Sequence, residues 1–336
     1  MDPHRPDGGQ PLRAGPVGLL VNPTAGRGAG REAGRRALAA LRRLGHDVED
    51  LSGRDVAEAR ERLARRAPDL AAVVVVGGDG LVHAAVQAVA GTRTALGVVP
   101  AGTGNDLARG LGVPLRQPVR AVERLSEALA GGRARAVDAV HVSSGEPADP
   151  AGAPGSAPGG PRSGRWFASI LGAGVDARVN ARANRWRWPT GPSRYTLAAL
   201  RELAVVRPVG LRIVLEGVPG EPGDGVRVLE RPTLLVAVAN TRCYGGGLLM
   251  APHADPADGL LDVVVIDALS PLAALTVFPL LRSGRHLRHP AVHVHRARRV
   301  HLAPLPGASV PHPHADGEAA LPLTCTAHPG TLRVLG

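Results

Sequence analysis

The chain has 336 residues, a hydrophobic share of 44% and a formal net charge of +11, and all 40 of its basic residues are arginine. This composition supports real hydrophobic cores and favours anionic partners, while the absence of lysine excludes the lysine-containing phosphate loop of many nucleotide-binding proteins. Two cysteines are too few for a disulfide framework or a zinc site, and no apolar run is long enough to span a membrane, so we expect a cytoplasmic protein.

Strands and helices alternate over the first 135 residues, after a Pro/Gly-rich leader at 1–15 that we expect to be disordered. The predicted strands are residues 17–21, 48–51, 70–76 and 96–99. The predicted helices are one that carries Ala37, Leu38, Leu41 and Leu44 and stops at Gly45, and four more at 55–67, 81–90, 104–111 and 118–130. This alternation predicts a parallel, doubly wound sheet with helices on both faces.

From residue 136 the pattern changes to short strands separated by Pro/Gly turns. The predicted strands are 137–142, 167–171, 211–215, 234–239, 261–266, 292–295 and 300–302, interrupted by an arginine-rich helix and by a helix near 195–206. Residues 144–164 are low-complexity Pro, Gly and Ala, which predicts a disordered excursion. We therefore expect two domains, 16–135 and 136–336, the second mainly antiparallel β; a return of the last segment to the first domain stays open.

Two glycine-rich turns follow neighbouring predicted strands of the first domain. They contain Gly77, Gly78, Asp79 and Gly80 in the first turn, and Gly102, Thr103, Gly104, Asn105 and Asp106 in the second. Because glycine has no Cβ, backbone N–H groups in such turns can approach an anion closely, and an aspartate there can hold a metal ion or a hydroxyl. Both turns should meet at the carboxyl edge of one sheet, where open α/β sheets bind nucleotides. The alternative is that the polar residues only cap the following helices.

Three further stretches carry candidate chemistry. The turn after the first strand contains Asn22, Pro23, Thr24, Ala25 and Gly26, which could direct side-chain and backbone donors at an anion or form an ordinary turn. Asp255 and Asp258 are close enough to share a hard cation, or are simply turn residues. Glu318 follows a glycine turn and could act as a base.

Taken in order, these stretches resemble the diacylglycerol kinase-like lipid kinases, a family that includes bacterial diacylglycerol kinases, YegS-type lipid kinases and sphingosine kinases. The resemblance runs from about Val17 to Val334, nearly the whole chain. The matching motifs are at residues 22–26, 77–80, 103–106, 174–177, 245–259 and 316–318. No single motif is specific, but their combination is.

The resemblance implies a three-layer α/β nucleotide domain at the N-terminus and a mainly antiparallel β domain at the C-terminus, with the substrates between them. It also implies transfer of the γ-phosphoryl group of Mg-ATP to a lipid hydroxyl, with conversion of diacylglycerol to phosphatidic acid as the first candidate reaction. Such transfer depends mostly on positioning and charge neutralisation. The lipid would be presented at a membrane surface.

Site residues follow from the matched motifs. Asp79 would organise the catalytic Mg²⁺ and the phosphates, and Glu318 would accept the proton of the lipid hydroxyl. The implied nucleotide contacts are Asn22, Pro23, Thr24, Ala25, Gly26, Ser52, Gly77, Gly78, Gly80, His83, Thr103, Asn105 and Asp106. Asp255, Asp258 and the backbone oxygen of Leu260 would hold a second Mg²⁺, Asp255 either through its carboxylate or only through its carbonyl.

The chain departs from the family directly after Gly80. The family commonly continues with Thr-x-Asn-Glu, whereas this chain has Leu81, Val82, His83 and Ala84. We interpret His83 as a replacement donor for the family's Asn, and we expect the change to affect nucleotide affinity and lipid choice.

Alternative functions are an NAD kinase-like enzyme and a catalytically impaired regulator that binds nucleotide or lipid. The chain lacks the Asn-Glu pair that NAD kinases carry, and nucleic acid is not expected as a partner because no docking motif is present. Trp186 and Trp188 stand among arginines, which indicates a peripheral contact with an anionic membrane at its inner face or a pair of tryptophans packed between the domains. A homodimer is left open.

Overall fold

The computed structural model describes residues 10–115, 117–144, 164–186, 188, 192–222, 225–311, 313 and 321–336. The predictions for Glu318, for most of the 1–15 leader and for most of the 144–164 excursion lie outside these residues. The described residues divide into two compact units, one made of 10–139 with Pro329–Gly336 and the other of Val140–His328. None of the helices in these ranges is long and apolar enough to cross a bilayer.

The first unit is a parallel sheet between helical layers. Its strands are β1 (Gln10–Pro11), β2 (Val17–Val21), β3 (Val48–Asp50), β4 (Ala72–Gly77) and β5 (Ala95–Pro100), and β6 (Arg133–Ser144) leads out of it. Its helices are α1 (Ala29–Arg43), α2 (Val56–Arg66), α3 (Asp79–Val89), α4 (Asp106–Gly110) and α5 (Pro118–Ala130), with short 3₁₀ turns at Ala25–Gly28 and Ala67–Asp69. The sequence predicted β2–β6 and α1–α5 in the right order, with ends that differ by a few residues. The prediction of a disordered leader over 1–15 was wrong for Gln10–Pro11, because these residues pair antiparallel with Arg133 and Ala134 of β6.

Strand order in this sheet is β3-β2-β4-β5, and all pairs are parallel. The residues Arg333 and Val334 continue the sheet by pairing in parallel with Ala95 and Leu96 of β5. Every residue of β4 and β5 is buried, as expected for strands covered on both faces. Helices α1 and α5 pack together on one face, and α3 lies beside α2 against β4 and β5.

The second unit consists mainly of antiparallel strands. They are β7 (Gly164–Phe167), β8 (Ile170–Gly174), β9 (Val209–Glu216), β10 (Arg227–Ala239), β11 (Cys243–Tyr244), β12 (Leu248–Leu249), β13 (Leu261–Asp267), β14 (Val292–Ala297), β15 (Arg299–Pro304) and β16 (Leu323–Val334). The end of β16, from Pro329, belongs to the first unit. Its helices are α6 (Val175–Arg185), α7 (Pro192–Ala204) and α8 (Pro271–Val277), and 3₁₀ turns follow at Phe278–Arg282 and Arg285–Arg288.

Strand β10 organises this unit because its two halves have different partners. The first half pairs with β9, and the second half pairs with β8 on one side and β13 on the other. Leu211, Ile213 and Leu215 of β9 are fully buried, whereas the residues between them are partly or fully exposed. This alternation is typical of an antiparallel sheet with one face on the core.

The prediction of one strand over 167–171 was wrong. Strand β7 ends at Phe167 and pairs with β6, whereas β8 begins at Ile170 and pairs with β10. Between them the carbonyl of Ser169 accepts the backbone N–H of Asn240 at 2.9 Å. The chain therefore changes partners at this point, which an apolar run cannot reveal.

The prediction that the chain is strand-like beyond residue 206 was also wrong for one segment. Residues 271–282 are helical, beginning with α8. The Ser270 hydroxyl accepts the backbone N–H of Ala273 at 3.3 Å, and Pro271 occupies the first helical position. Serine followed by proline is a helix-start signal that strand periodicity had masked.

Candidate functional site

Three turns of the first unit lie against one another where β2, β4 and β5 end. The backbone N–H of Asn22 donates to the carbonyl of Val76 at 2.9 Å, and that of Ala101 donates to the carbonyl of Gly77 at 2.9 Å. A Cβ on Gly26 would lie only 2.4 Å from the carbonyl oxygen of Ala101. The parallel sheet thus brings the turns together at its carboxyl edge, as the sequence predicted.

Asp79 is at the centre of this arrangement. Its Oδ2 accepts the backbone N–H of Asn105 at 2.7 Å, and its Oδ1 accepts that of Asp106 at 2.6 Å. A Cβ on Gly104 would lie 2.4 Å from Asp79 Oδ2 and 3.8 Å from Asp106 Oδ2. The carboxylates of Asp79 and Asp106 therefore flank Gly104, and Asp79 ties the two glycine-rich turns to each other.

Close backbone approach also joins these turns at Gly78 and Gly102. A Cβ on Gly102 would lie 2.4 Å from the Cα of Gly78, and one on Gly78 would lie 3.1 Å from the Cα of Gly102. The contact at Gly102 is too short for an unshifted backbone and the contact at Gly78 is very tight, so the absence of a side chain at both residues lets the turns touch. Gly80 differs, because no atom lies within 4 Å of its Cβ position. Of these three glycines, only Gly80 is placed to let an outside group approach.

Asn105 holds the second turn in shape. It is the non-glycine residue with a left-handed backbone among the described residues, with φ of 55°. Its Nδ2 donates to the carbonyl of Gly102 at 2.7 Å, and its Oδ1 accepts the Gly102 N–H at 3.0 Å. Asparagine tolerates this conformation better than most residues, and these bonds stabilise it.

The first turn is organised by Asn22. Its Oδ1 accepts the backbone N–H of Thr24 at 3.0 Å and the Thr24 hydroxyl at 2.8 Å. Ser52 lies beside the same strand, where its Oγ accepts the Val21 N–H at 3.0 Å. Both side chains thus have a local structural role, and their contacts with a nucleotide stay predictions.

The departure from the family after Gly80 falls on the first turns of α3. Leu81 packs over Gly77, since a Cβ there would lie 3.0 Å from the Leu81 side chain. His83 is buried, and its Nε2 lies 3.2 Å from Nε2 of Gln87. Thr103, by contrast, is exposed on the second turn. The replacement of polar residues by Leu81 and a buried His83 makes this side of the turn more apolar.

The acidic loop of the second unit contains Asp255 and Asp258. Asp255 Oδ1 accepts the Ala257 N–H at 3.1 Å, and Asp258 Oδ1 accepts the Leu260 N–H at 2.9 Å. The other oxygen of Asp258 is ion-paired with Arg296. Within the described ranges, no group of three or more His, Cys, Asp or Glu side chains is arranged to hold a metal ion.

A third aspartate in this loop region was not predicted. Asp262 is the second residue of β13. Its side chain is only 5% exposed, and its Oδ2 lies 3.9 Å from Nε of Arg296. Burial raises the pKa of Asp262; Arg296 opposes that rise and the charge of Asp258 adds to it. The available signal was a carboxylate in an otherwise apolar strand.

Asp176 is the most perturbed carboxylate of the second unit. It lies in the first turn of α6, directly over Gly172, and burial raises its pKa to about 7 although the backbone N–H groups of Ala177 and Asp176 oppose this. Its buried Oδ1 has no hydrogen-bond partner among the described residues. A charged Asp176 therefore destabilises the folded protein.

We expect Asp176→Asn to stabilise the protein at pH 8 by up to about 4 kcal/mol, because burial raises the pKa from its ordinary 3.8 to about 7 and one pKa unit corresponds to about 1.4 kcal/mol. A carboxyl whose pKa is raised in the folded state destabilises the fold progressively as pH rises from about 4 to 7. The gain should therefore shrink towards zero near pH 4. Thermal unfolding of both proteins across pH 4–8 measures it, and a difference that does not change with pH would contradict the assignment.

Comparison with known proteins accounts for both units. A family model described as the diacylglycerol kinase catalytic domain matches residues 16–142, and one described as the YegS C-terminal NAD kinase beta sandwich-like domain matches residues 169–336. The chain is 39% identical over 324 residues to a diacylglycerol kinase from Mycobacterium tuberculosis (strain ATCC 25618 / H37Rv), covering 96% of this chain and 95% of that protein. The chain belongs to the diacylglycerol kinase-like family of lipid kinases.

This lipid kinase has more distant relatives of the same kind. It is 27% identical over 259 residues to a YegS-like lipid kinase from Xanthomonas oryzae pv. oryzae (strain MAFF 311018), covering 75% of this chain and 74% of that protein. The crystal structure of a diacylglycerol kinase from Bacillus anthracis str. Sterne shares the fold, with a TM-score of 0.66 at 18% identity over 95% of this chain and 96% of that one. The predicted family and fold class are confirmed, and membership of a kinase family implies ATP use.

Proposed function

We propose that this lipid kinase transfers the γ-phosphoryl group of Mg-ATP to the free hydroxyl of diacylglycerol and so forms phosphatidic acid. The observation that carries the proposal is the Asp79 carboxylate, which is held by the N–H groups of Asn105 and Asp106 where three turns meet. The choice of lipid is supported by the 39% identity to a protein named diacylglycerol kinase.

The nucleotide phosphates are assigned to the open side of the turn that contains Gly80. Helix α3 begins at Asp79, so the partial positive charge of its N-terminus lies at this turn. The first turn, from Asn22 to Gly26, and Thr103 of the second turn are proposed to contact the same phosphates. Since the chain has no lysine, backbone N–H groups and a bound cation would neutralise most of the phosphate charge.

Asp79 and Asp106 suit a catalytic Mg²⁺, because their carboxylates flank the same glycine and oxygen ligands are those that Mg²⁺ prefers. The ion would supply charge neutralisation of the phosphates when bound. The protein itself orients the carboxylate of Asp79, because the N–H groups of Asn105 and Asp106 fix it in one position. Glu318 is proposed to accept the proton of the lipid hydroxyl.

A second Mg²⁺ is proposed in the loop of Asp255, Asp258 and the Leu260 carbonyl. These three residues alone give an incomplete oxygen set, and Arg296 already pairs with Asp258. A cation would have to replace that arginine at the carboxylate. The site is therefore expected to be weak and to compete with Arg296.

Asp258→Asn should lower the stabilisation that millimolar Mg²⁺ gives the wild-type protein, because it removes the charged ligand of this loop. Thermal unfolding with and without Mg²⁺ measures this. Asp267→Asn is a matched control on β13, where Asp267 pairs with Arg231 and His293. An equal Mg²⁺-dependent rise in Tm for wild type and Asp258→Asn would remove this loop as a cation site.

The proposed reaction is tested with purified protein, labelled Mg-ATP and mixed micelles that contain diacylglycerol, monoacylglycerol, ceramide, sphingosine or polyprenol, with NAD in a parallel assay. Labelled phosphatidic acid is the expected product. Labelled NADP without a labelled lipid would favour the NAD kinase-like alternative. ATP binding without any product would favour a catalytically impaired regulator.

A further inference from the structure

Three aromatic rings form a cluster on the strands by which the chain enters and leaves the second unit. His141 lies on β6, Trp166 lies opposite it on β7, and His328 lies on β16, which also pairs with β6. The ring centroid of Trp166 is 4.9 Å from that of His141 and 5.1 Å from that of His328, and the two imidazole centroids are 6.1 Å apart. The two imidazoles are thus neighbours on adjacent strands.

These two imidazoles differ from the other histidines of the second unit in their polar contacts. Elsewhere in the described part of this unit, buried and half-buried histidines each have a ring nitrogen 2.8–3.2 Å from a polar atom; they are His286, His289, His293, His295 and His301. In the part of the chain that the structure describes, no hydrogen bond reaches the ring of His141 or His328, although both are half-buried. Polar groups in such surroundings normally have a partner, so this pair fits a ligand.

The surroundings keep both rings neutral. Burial lowers the pKa of both imidazoles; the charge of His328 further lowers that of His141, and Arg299 further lowers that of His328. Arg299 itself is ion-paired with Glu216 at 2.8 Å. A neutral imidazole has a lone pair on one nitrogen. It is a ligand for transition metals such as Zn²⁺, Ni²⁺ and Cu²⁺, whereas Mg²⁺ prefers oxygen.

The spacing of the rings also suits a metal ion. With metal–nitrogen distances of about 2.1 Å, two imidazoles on one ion have centroids about 5–6 Å apart. A small rotation of the two side chains is therefore sufficient. A Cβ on Gly164 would lie 2.2 Å from Nε2 of His141, so the ring of His141 uses the space that the glycine leaves. Both rings are partly open to solvent, and water can complete the coordination.

We propose that His141 and His328 together bind one divalent transition-metal ion of the zinc, nickel or copper class, with Trp166 packed beside it. Val140 and His328 are the first and last residues of the second unit. The ion would therefore join the two ends of this unit and stabilise it. This site is separate from the acidic loop and from the proposed reaction.

Trp166 provides the readout, because Ni²⁺ and Cu²⁺ quench the fluorescence of a nearby indole and Zn²⁺ does not. The chain has three tryptophans, so a Trp186→Phe/Trp188→Phe protein reports on Trp166 alone. In excess Mg²⁺, which occupies sites for hard cations, Ni²⁺ should quench this fluorescence with saturation. Zn²⁺ added first should prevent the quenching.

Two substitutions in the same background remove one nitrogen ligand each and keep the ring cluster. His141→Phe and His328→Phe should each raise the Ni²⁺ concentration for half-maximal quenching by about tenfold or more. The matched control His293→Phe changes a half-buried histidine of the same unit that pairs with Asp267, and it should leave the titration unchanged. Zn²⁺ should also raise the Tm of the wild type by more than that of His141→Phe/His328→Phe.

Equal Ni²⁺ titrations of the two variants and the parent protein would overturn the proposal. So would quenching that rises without saturation and is unaffected by Zn²⁺, because such quenching is collisional; this second readout needs no histidine variant to fold. None of these measurements uses ATP or a lipid. Failure of the metal site can thus be distinguished from failure of the proposed reaction.

Discussion

Asp79→Asn is expected to lower kcat/KM for lipid phosphorylation by about a thousandfold, in the range found when one fixed electrostatic group is removed from an active site. The substitution keeps the size of the side chain but removes its charge. In the wild type, the two carboxylate oxygens accept the backbone N–H groups of Asn105 at 2.7 Å and of Asp106 at 2.6 Å. In the variant, an NH₂ group replaces one of these oxygens, so that two donors would face each other. The turn should loosen, and stability should fall by about 1–3 kcal/mol.

A matched control separates the local effect from a general loss of charge. Asp47 is an exposed aspartate of the same unit, and Asp47→Asn should leave both activity and Tm unchanged. Steady-state kinetics and thermal unfolding measure the two quantities. If Asp79→Asn retained more than about a tenth of wild-type activity, the role given to Asp79 would be wrong.

A pair of glycine substitutions should have opposite effects on stability. Gly102→Ala places a methyl group 2.4 Å from the Cα of Gly78, so the two turns must move apart. We expect a loss of about 1–3 kcal/mol of stability and of most activity, because overpacked backbone contacts cannot relax through a side chain. Gly80→Ala meets no atom within 4 Å and lies in the first turn of α3, so Tm should stay equal or rise.

The same Gly80→Ala protein tests where the phosphates bind. If they approach the turn at its open side, the new methyl group should raise the KM for ATP by about tenfold while the fold stays intact. Kinetics at varied ATP with saturating lipid measure this KM, and a thermal unfolding curve shows whether the fold is intact. An unchanged KM with unchanged Tm would place the phosphates elsewhere.

The first unit was largely predictable because its signals are local. Apolar runs such as Val73–Val76, each followed by a turn and an amphipathic helix, predict a parallel sheet, and that sheet was found. The roles of single glycines were not predictable. Gly78 and Gly102 permit close contact between two turns, and only three-dimensional proximity reveals this use.

The second unit was harder to predict because its pairings are long-range. The break after Phe167 depends on Asn240, which lies more than seventy residues away along the chain.

The pairing of Arg333 and Val334 with β5 has a consequence for biosynthesis. Leu332, Val334 and Leu335 are at most 1% exposed, so this terminal segment is an integral part of the first unit. On the ribosome, residues 10–139 emerge first, yet their sheet keeps an open edge until all of Val140–His328 has been made. The unit that carries Asp79 is therefore translated before Val140–His328 but cannot be complete until Pro329–Gly336 have been made. Until then, the nascent chain holds an unpaired strand edge.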